Sequence, residues 1–226
     1  MTTAAAALTT ERRDVLRRRI RLVVMVTIAY NLIEGLVSVA TGASASSSAL
    51  IAFGLDSFVE VLSAVAVAWQ FSRSDPERYE QATLRVIAFA FFALAAWVTI
   101  NALLMLAGVW DAQPSPLGII IATLSAVIMP ALSWWERRTG LELGSATAVA
   151  DSRQTLLCAG LSVAVLIGLV ANVLFGWAWA DPVAALVIAA FAVREGREAW
   201  GGDTCNSAVA MVISGEEETG PVEIAW

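Results

Sequence analysis

Six long apolar stretches alternate with short polar ones along the chain. They cover residues 22–41, 47–71, 86–110, 116–135, 145–175 and 177–193. A helix needs about 20 mostly apolar residues to cross the hydrocarbon core of a bilayer, and only the last stretch is short by that measure. The pattern therefore predicts an all-α fold, a polytopic membrane protein built as a bundle of six transmembrane helices.

The segments between the apolar stretches have the composition of loops. They are residues 42–48, 72–85, 111–116, 136–144 and 176–180. The first is small and uncharged, the third contains two prolines, and the fifth is a short aromatic corner. The second and fourth contain most of the charges found between stretches, which predicts that both are exposed to water.

Arginine placement predicts the orientation of the bundle. All 14 basic residues are arginine, and 13 of them lie before the first stretch, in the second and fourth loops, or after the last stretch. Cytoplasmic loops are enriched in positive charge, so we expect cytoplasmic N- and C-termini in a plasma or inner cell membrane. This divides the chain into a basic N-terminal segment (1–21), a transmembrane domain (22–200) and an acidic, disordered cytoplasmic tail (201–226).

Composition excludes several classes of function. Hydrophobic residues make up 58% of the chain and charged residues 15%, against about 25% charged in an average soluble domain. The lipid bilayer is therefore the expected surroundings, with no soluble module and no nucleic-acid partner. The chain has no histidine, no nucleophile motif and no cofactor-binding motif, so we expect neither an enzyme nor a prosthetic group.

Ionisable side chains inside the apolar stretches are the strongest functional signal. Such groups cost about 2.5–3.5 kcal/mol each at the centre of a membrane helix and usually mark ion pathways. Glu34 lies in the first stretch, Asp56 and Glu60 in the second, and Asp151 and Arg153 in the fifth. The third and fourth stretches contain none, so any site is expected among three of the six helices.

Two pairs with a spacing of four residues indicate a metal site. Asp56 and Glu60 project from one face of the second helix, and Gln154 and Cys158 from one face of the fifth. Each pair lies roughly 14–20 Å along its helix at 1.5 Å per residue, so the two pairs meet near the middle of the membrane. Together they supply four ligands to a tetrahedral ion, with Asp151 one turn earlier on the same side.

Structural interpretations of these residues remain open at this point. Asp56 and Glu60 would alternatively pair with Arg153, and Cys158 would be a small packing residue, as most buried cysteines are. Asn31 and Glu34, three residues apart on the first helix, either line a path beside the site or join helices by hydrogen bonds. Gln154 is a poor ligand and suits a supporting hydrogen bond.

Two motifs resemble those of the cation diffusion facilitator (cation efflux) family of metal exporters. The run SALIAFGLDSFVEVLSA at 48–64 is similar to that family's second helix, and ADSRQTLLC at 150–158 is similar to its fifth-helix motif. The resemblance covers about residues 15–200, the family's transmembrane domain only. It assigns the metal positions to Asp56, Glu60, Gln154 and Cys158, with glutamine and cysteine replacing the family's usual residues.

The resemblance implies a transporter of divalent transition-metal ions. Carboxylate and thiolate donors suit zinc best, with cadmium and cobalt also favoured and iron and manganese further candidates. It also implies efflux by metal/proton antiport with alternating access, and a homodimer formed through membrane helices. Two other classes stay open: a membrane protein that binds or senses metal without moving it, and a structural scaffold.

Overall fold

The computed structural model describes residues 10–71, 76–143 and 146–201, all within six helices and their short links. The helices are α1 (Thr10–Ala45), α2 (Ser48–Phe71), α3 (Pro76–Leu106), α4 (Pro116–Leu143), α5 (Ala146–Phe175) and α6 (Ala180–Gly201). No strand occurs in these ranges, so the predicted all-α bundle is confirmed. The acidic tail, with Cys205, lies outside the described residues.

The helices are longer than the apolar stretches that predicted them. α1 begins 12 residues before its stretch, and α3 begins at Pro76 instead of 86. The predicted loop at 136–144 is wrong, because α4 continues through Leu143. Apolar residues mark where a helix crosses the membrane, whereas the backbone hydrogen bonds of the same helix continue into water past that limit.

Five helices, α1 to α5, are long and apolar enough to cross a membrane on length and composition. α6 does not meet that measure on its own. Its first half is apolar, but four charged side chains (Arg194, Glu195, Arg197 and Glu198) occupy its last eight residues. The sixth predicted span is therefore the weakest, and α6 depends most on its contacts with α2, α3 and α5.

α2 lies in the middle of the bundle. It contacts α1, α3, α5 and α6, and Leu50, Ala52 and Phe53 are buried in the main apolar core. α1 reaches it closely at Gly54, where an added Cβ would lie 2.8 Å from the Gly35 carbonyl oxygen. This close approach brings polar side chains of α1 within reach of those of α2.

Asp181 joins the beginnings of α2 and α6. Asp181 stands before Pro182 at the start of α6, the order typical of an N-cap for that helix, but its carboxylate accepts hydrogen bonds from Ser47 Oγ (2.5 Å) and from the backbone N–H of Ala49 (3.1 Å). It is fully buried. Asp181 therefore has a structural role at a neighbouring helix, where it accepts from a free amide group at the start of α2.

We expect Asp181→Ala to lower the stability of the fold. The substitution leaves the Ser47 hydroxyl and the Ala49 amide buried without their acceptor, which costs about 1–3 kcal/mol. Thermal unfolding of the detergent-solubilised protein measures the effect. Asp111→Ala, at an exposed aspartate between α3 and α4, is the matched control, and equal melting temperatures for the two variants would contradict the capping role.

Candidate metal site

The second helix supplies two carboxylates to the interior of the bundle. Asp56 is 7% exposed, and Glu60, one turn further along α2, is half-buried. α2 contacts four other helices, and the side that carries Asp56 and Glu60 faces the interior, whereas Leu62, Val65 and Trp69 of the same helix are exposed. The one-face arrangement predicted from the spacing is consistent with this burial.

Cys158 of α5 meets these carboxylates. One ligand atom from each of Asp56, Glu60 and Cys158 lies within 4.8 Å of the other two. The Cys158 thiol donates a hydrogen bond to Glu60 Oε1, and Cys158 is itself buried. Three of the four predicted ligands are therefore brought together by two different helices.

The fourth predicted ligand, Gln154, lies one turn before Cys158 on α5. Its side chain is outside the described residues, as are those of Asp151 and Arg153. Coordination by Gln154, a place for Asp151 beside the site, and the alternative pairing of the acids with Arg153 all stay predictions.

α1 adds polar groups on a third side. Asn31 Nδ2 donates a hydrogen bond to Glu60 Oε2 at 2.5 Å, and Asn31 is 5% exposed. One turn further along α1, Glu34 Oε2 accepts a hydrogen bond from Ser57 Oγ at 3.0 Å. Asn31 and Glu34 thus lie beside the carboxylate cluster.

Negative charge is concentrated around Asp56. It interacts electrostatically with Glu34 and with Glu195 of α6, and each of these pairs is repulsive when ionised. Like charges in a low-dielectric interior repel strongly, and a bound cation removes that repulsion. The arrangement therefore favours a positively charged ligand.

The donor set indicates which cations fit. A thiolate with two carboxylates suits zinc and similar transition metals better than magnesium or calcium, which take oxygen ligands. Three protein donors with a further position left for water or a fourth ligand is a common arrangement for zinc. All three side chains bind metal in their deprotonated forms, so metal binding here releases protons.

Sequence reasoning missed Glu195 and Ser57. Glu195 belongs to the charged run at the end of α6, which was interpreted from its arginines alone. The position of Glu195 along the helix could have predicted its burial, because it lies on the face of α6 that carries apolar and small residues. Ser57 carried no signal, since serine is common in membrane helices and only the crossing of α1 and α2 gives it a partner.

Comparison with known proteins identifies the family of the chain. The family model described as the cation efflux transmembrane domain matches residues 24–199, well over half of the chain and all six helices. A search of the curated proteins gave no match. The resemblance found in the two motifs is confirmed by this match. The chain therefore belongs to the cation efflux family, multi-pass membrane transporters of divalent metal cations.

Proposed function

We propose that the protein exports zinc or a similar transition-metal ion by exchanging it for protons. The cluster of Asp56, Glu60 and Cys158 carries this proposal, because its donor atoms lie within 4.8 Å of one another inside a membrane-spanning bundle. Because the family transports metal cations, we take this cluster as the binding site of the transported ion.

The choice of zinc rests on the thiol. Cys158 supplies a soft donor that magnesium, calcium and manganese do not prefer, whereas zinc and cadmium bind it well. The two carboxylates offset the charge of a divalent ion. Zinc is therefore the first substrate to test, followed by cadmium, cobalt, iron and manganese.

Exchange for protons follows from the chemistry of these donors. Each binds metal when deprotonated, so metal and protons compete for the same atoms. A site that faces one side of the membrane and then the other would load metal where protons are scarce and release it where they are abundant. The chain has no histidine, so carboxyl and thiol groups must carry the protons.

The proposal also includes the orientation of the protein in the membrane, its oligomeric state and the direction of transport. The arginine distribution supports cytoplasmic termini in the plasma or inner membrane, and resemblance to the family supports a homodimer. The orientation of the bundle decides the direction of transport: metal would enter from the side where the arginine-bearing ends of α1, α3, α4 and α6 lie.

Zinc uptake into proteoliposomes tests the proposal directly. The protein is reconstituted, a pH gradient is imposed with the lumen acidic or alkaline, and a trapped zinc-sensitive dye reports entry. We expect uptake to be accelerated when protons can leave the lumen in exchange for zinc. Collapse of the gradient with a potassium/proton exchanging ionophore should remove the acceleration, and protein-free vesicles give the leak.

Two results would contradict the proposal. Zinc binding to the solubilised protein without uptake, repeated with the other four ions, would favour a metal sensor. Uptake that is unaffected by collapse of the pH gradient would leave a metal transporter that does not use protons.

A further inference from the structure

Buried side-chain oxygens without hydrogen-bond partners form a row along α1. They are Thr27 Oγ1, Asn31 Oδ1, Glu34 Oε1 and Ser38 Oγ. The spacings of four, three and four residues place all of them on one helix face. At 1.5 Å per residue the row extends over about 16 Å, and we call it the α1 polar row.

Such a row is costly unless something fills it. A buried polar atom without a partner loses the hydrogen bonds that it makes in water, and native interiors satisfy most such atoms with protein groups or with ordered water. Four in succession on one helix face indicate a chain of water molecules that bridges them. Water at this depth gives protons a route through the bundle.

The α1 polar row passes directly beside the metal cluster. At Asn31 it contacts Glu60, through the hydrogen bond from Nδ2, and at Glu34 it contacts Ser57, the neighbour of Asp56. Thr27 lies one turn before this level and Ser38 one turn after it. The row therefore reaches past the cluster in both directions along α1.

Glu34 is the only acid in the row. It is 4% exposed, the hydroxyl groups of Tyr30 on its own helix and of Ser125 on α4 lie close to its carboxyl group, and it interacts electrostatically with Asp56 and Cys158. No basic side chain of the described residues is among these neighbours. Burial away from water disfavours the charged form of a carboxyl group, and a proton on Glu34 removes that cost when no cation is bound.

A divalent ion in the cluster reverses this preference. Its charge stabilises an anion nearby, and Ser57 already donates a hydrogen bond that favours the ionised form of Glu34. Glu34 is not one of the clustered ligand atoms, so its proton is not displaced by coordination. The metal would release it through the electric field alone.

We propose that Glu34 carries one of the exchanged protons and passes it through water along the α1 polar row, separately from the metal ligands. The carboxyl O–H gives its proton to a water of the row as metal binds, and a proton returns from the row as metal leaves. This inference rests on the proposed exchange of metal for protons.

Proton release on zinc binding tests this assignment. Calorimetric titration of the full-length, detergent-solubilised protein with zinc, in two buffers of different ionisation enthalpy, gives the number of protons released per ion. We expect Glu34→Gln to release about one proton fewer than wild type, with zinc affinity changed less than about tenfold. Glu11→Gln, at an exposed acid near the start of α1, should leave the number unchanged.

Two outcomes would overturn the assignment. An unchanged proton number in Glu34→Gln would mean that the metal ligands carry all the protons. Complete loss of zinc binding in that variant, with the fold intact, would make Glu34 a ligand. Failure of wild type to bind or move zinc at all would instead remove the proposed function, so the two failures are distinguishable.

A second variant keeps the test decisive if Glu34→Gln does not fold. Ser57→Ala removes the hydroxyl that donates to Glu34, so the ionised form of Glu34 loses a stabilising hydrogen bond. The pH midpoint of zinc-linked proton release should then rise by about one unit. An unmoved midpoint would overturn the assignment.

Discussion

An Asp56→Asn variant is expected to lose zinc affinity by more than about 100-fold and to stop zinc transport. Substitutions beside a metal site typically cost 10–100-fold in affinity, and Asp56 supplies one of the three clustered donors itself. Asparagine keeps the shape but loses the negative charge and one strong oxygen donor. Zinc titration and vesicle uptake measure the two effects.

The same variant should fold at least as well as wild type when no metal is present. Asp56 is buried, and burial disfavours a charged carboxylate that has no cation beside it, so replacement by a neutral amide of the same shape removes an unfavourable group. A structural scaffold in which Asp56 is paired with Arg153 predicts the opposite, because a broken buried pair leaves an uncompensated charge. Asp111→Asn, at an exposed site, should change neither property.

Loss of stability without loss of zinc affinity would therefore contradict the metal site. That result would favour the scaffold interpretation. If the variant loses both stability and zinc affinity, the metal-site and scaffold interpretations are separated by melting curves recorded with and without zinc. A bound metal stabilises only the protein that can hold it.

The number of helices and the shared face of Asp56 and Glu60 could be predicted because they depend on patterns within one helix; that these residues bind metal stays a prediction. Apolar length gives the spans, and the four-residue spacing of Asp56 and Glu60 puts them on one face whatever the neighbouring helices do. Cys158 was predicted through depth, since two antiparallel spans place equivalent positions at the same level. These features need no knowledge of how the helices are rotated against one another.

Other features depend on helix rotation and crossing, which the pattern does not contain. Glu195 approaches Asp56 only because α6 presents that face to α2, and Asn31 contacts Glu60 only because α1 and α2 cross closely at Gly54. Asp181 caps a different helix from its own for the same reason. The end of α4 was missed for another reason: charge stops an apolar stretch but does not stop a helix.

The proposed metal specificity also depends on features within one helix and on the packing of two helices. Two carboxylates on α2 would bind many divalent ions, and they are readable from sequence. The soft donor comes from α5, so the proposed preference for zinc or cadmium would require the two helices to be packed together. Separation of α2 from α5 would break the site, which makes relative movement of these helices an effective way to release metal.

A Cys158→Ser variant is expected to change which metal the protein prefers. Serine is close in size but replaces a soft sulfur donor with a hard hydroxyl, which binds cadmium and zinc much less well and manganese about equally. We expect cadmium affinity to fall about 100-fold and manganese affinity to change less than about tenfold. Competition between cadmium and manganese, in titration and in vesicle uptake, measures the ratio.

Cys205→Ser is the matched control, because it removes the other thiol of the chain and should leave the ratio unchanged. An unchanged ratio in Cys158→Ser would mean that Cys158 only packs against Glu60 and that the carboxylates bind metal without sulfur. The site would then be an all-oxygen one, and manganese or iron would replace zinc as the expected substrate. The ratio of cadmium to manganese affinity therefore tests whether Cys158 Sγ, which α5 places beside the carboxylates of α2, determines the class of metal that the protein transports.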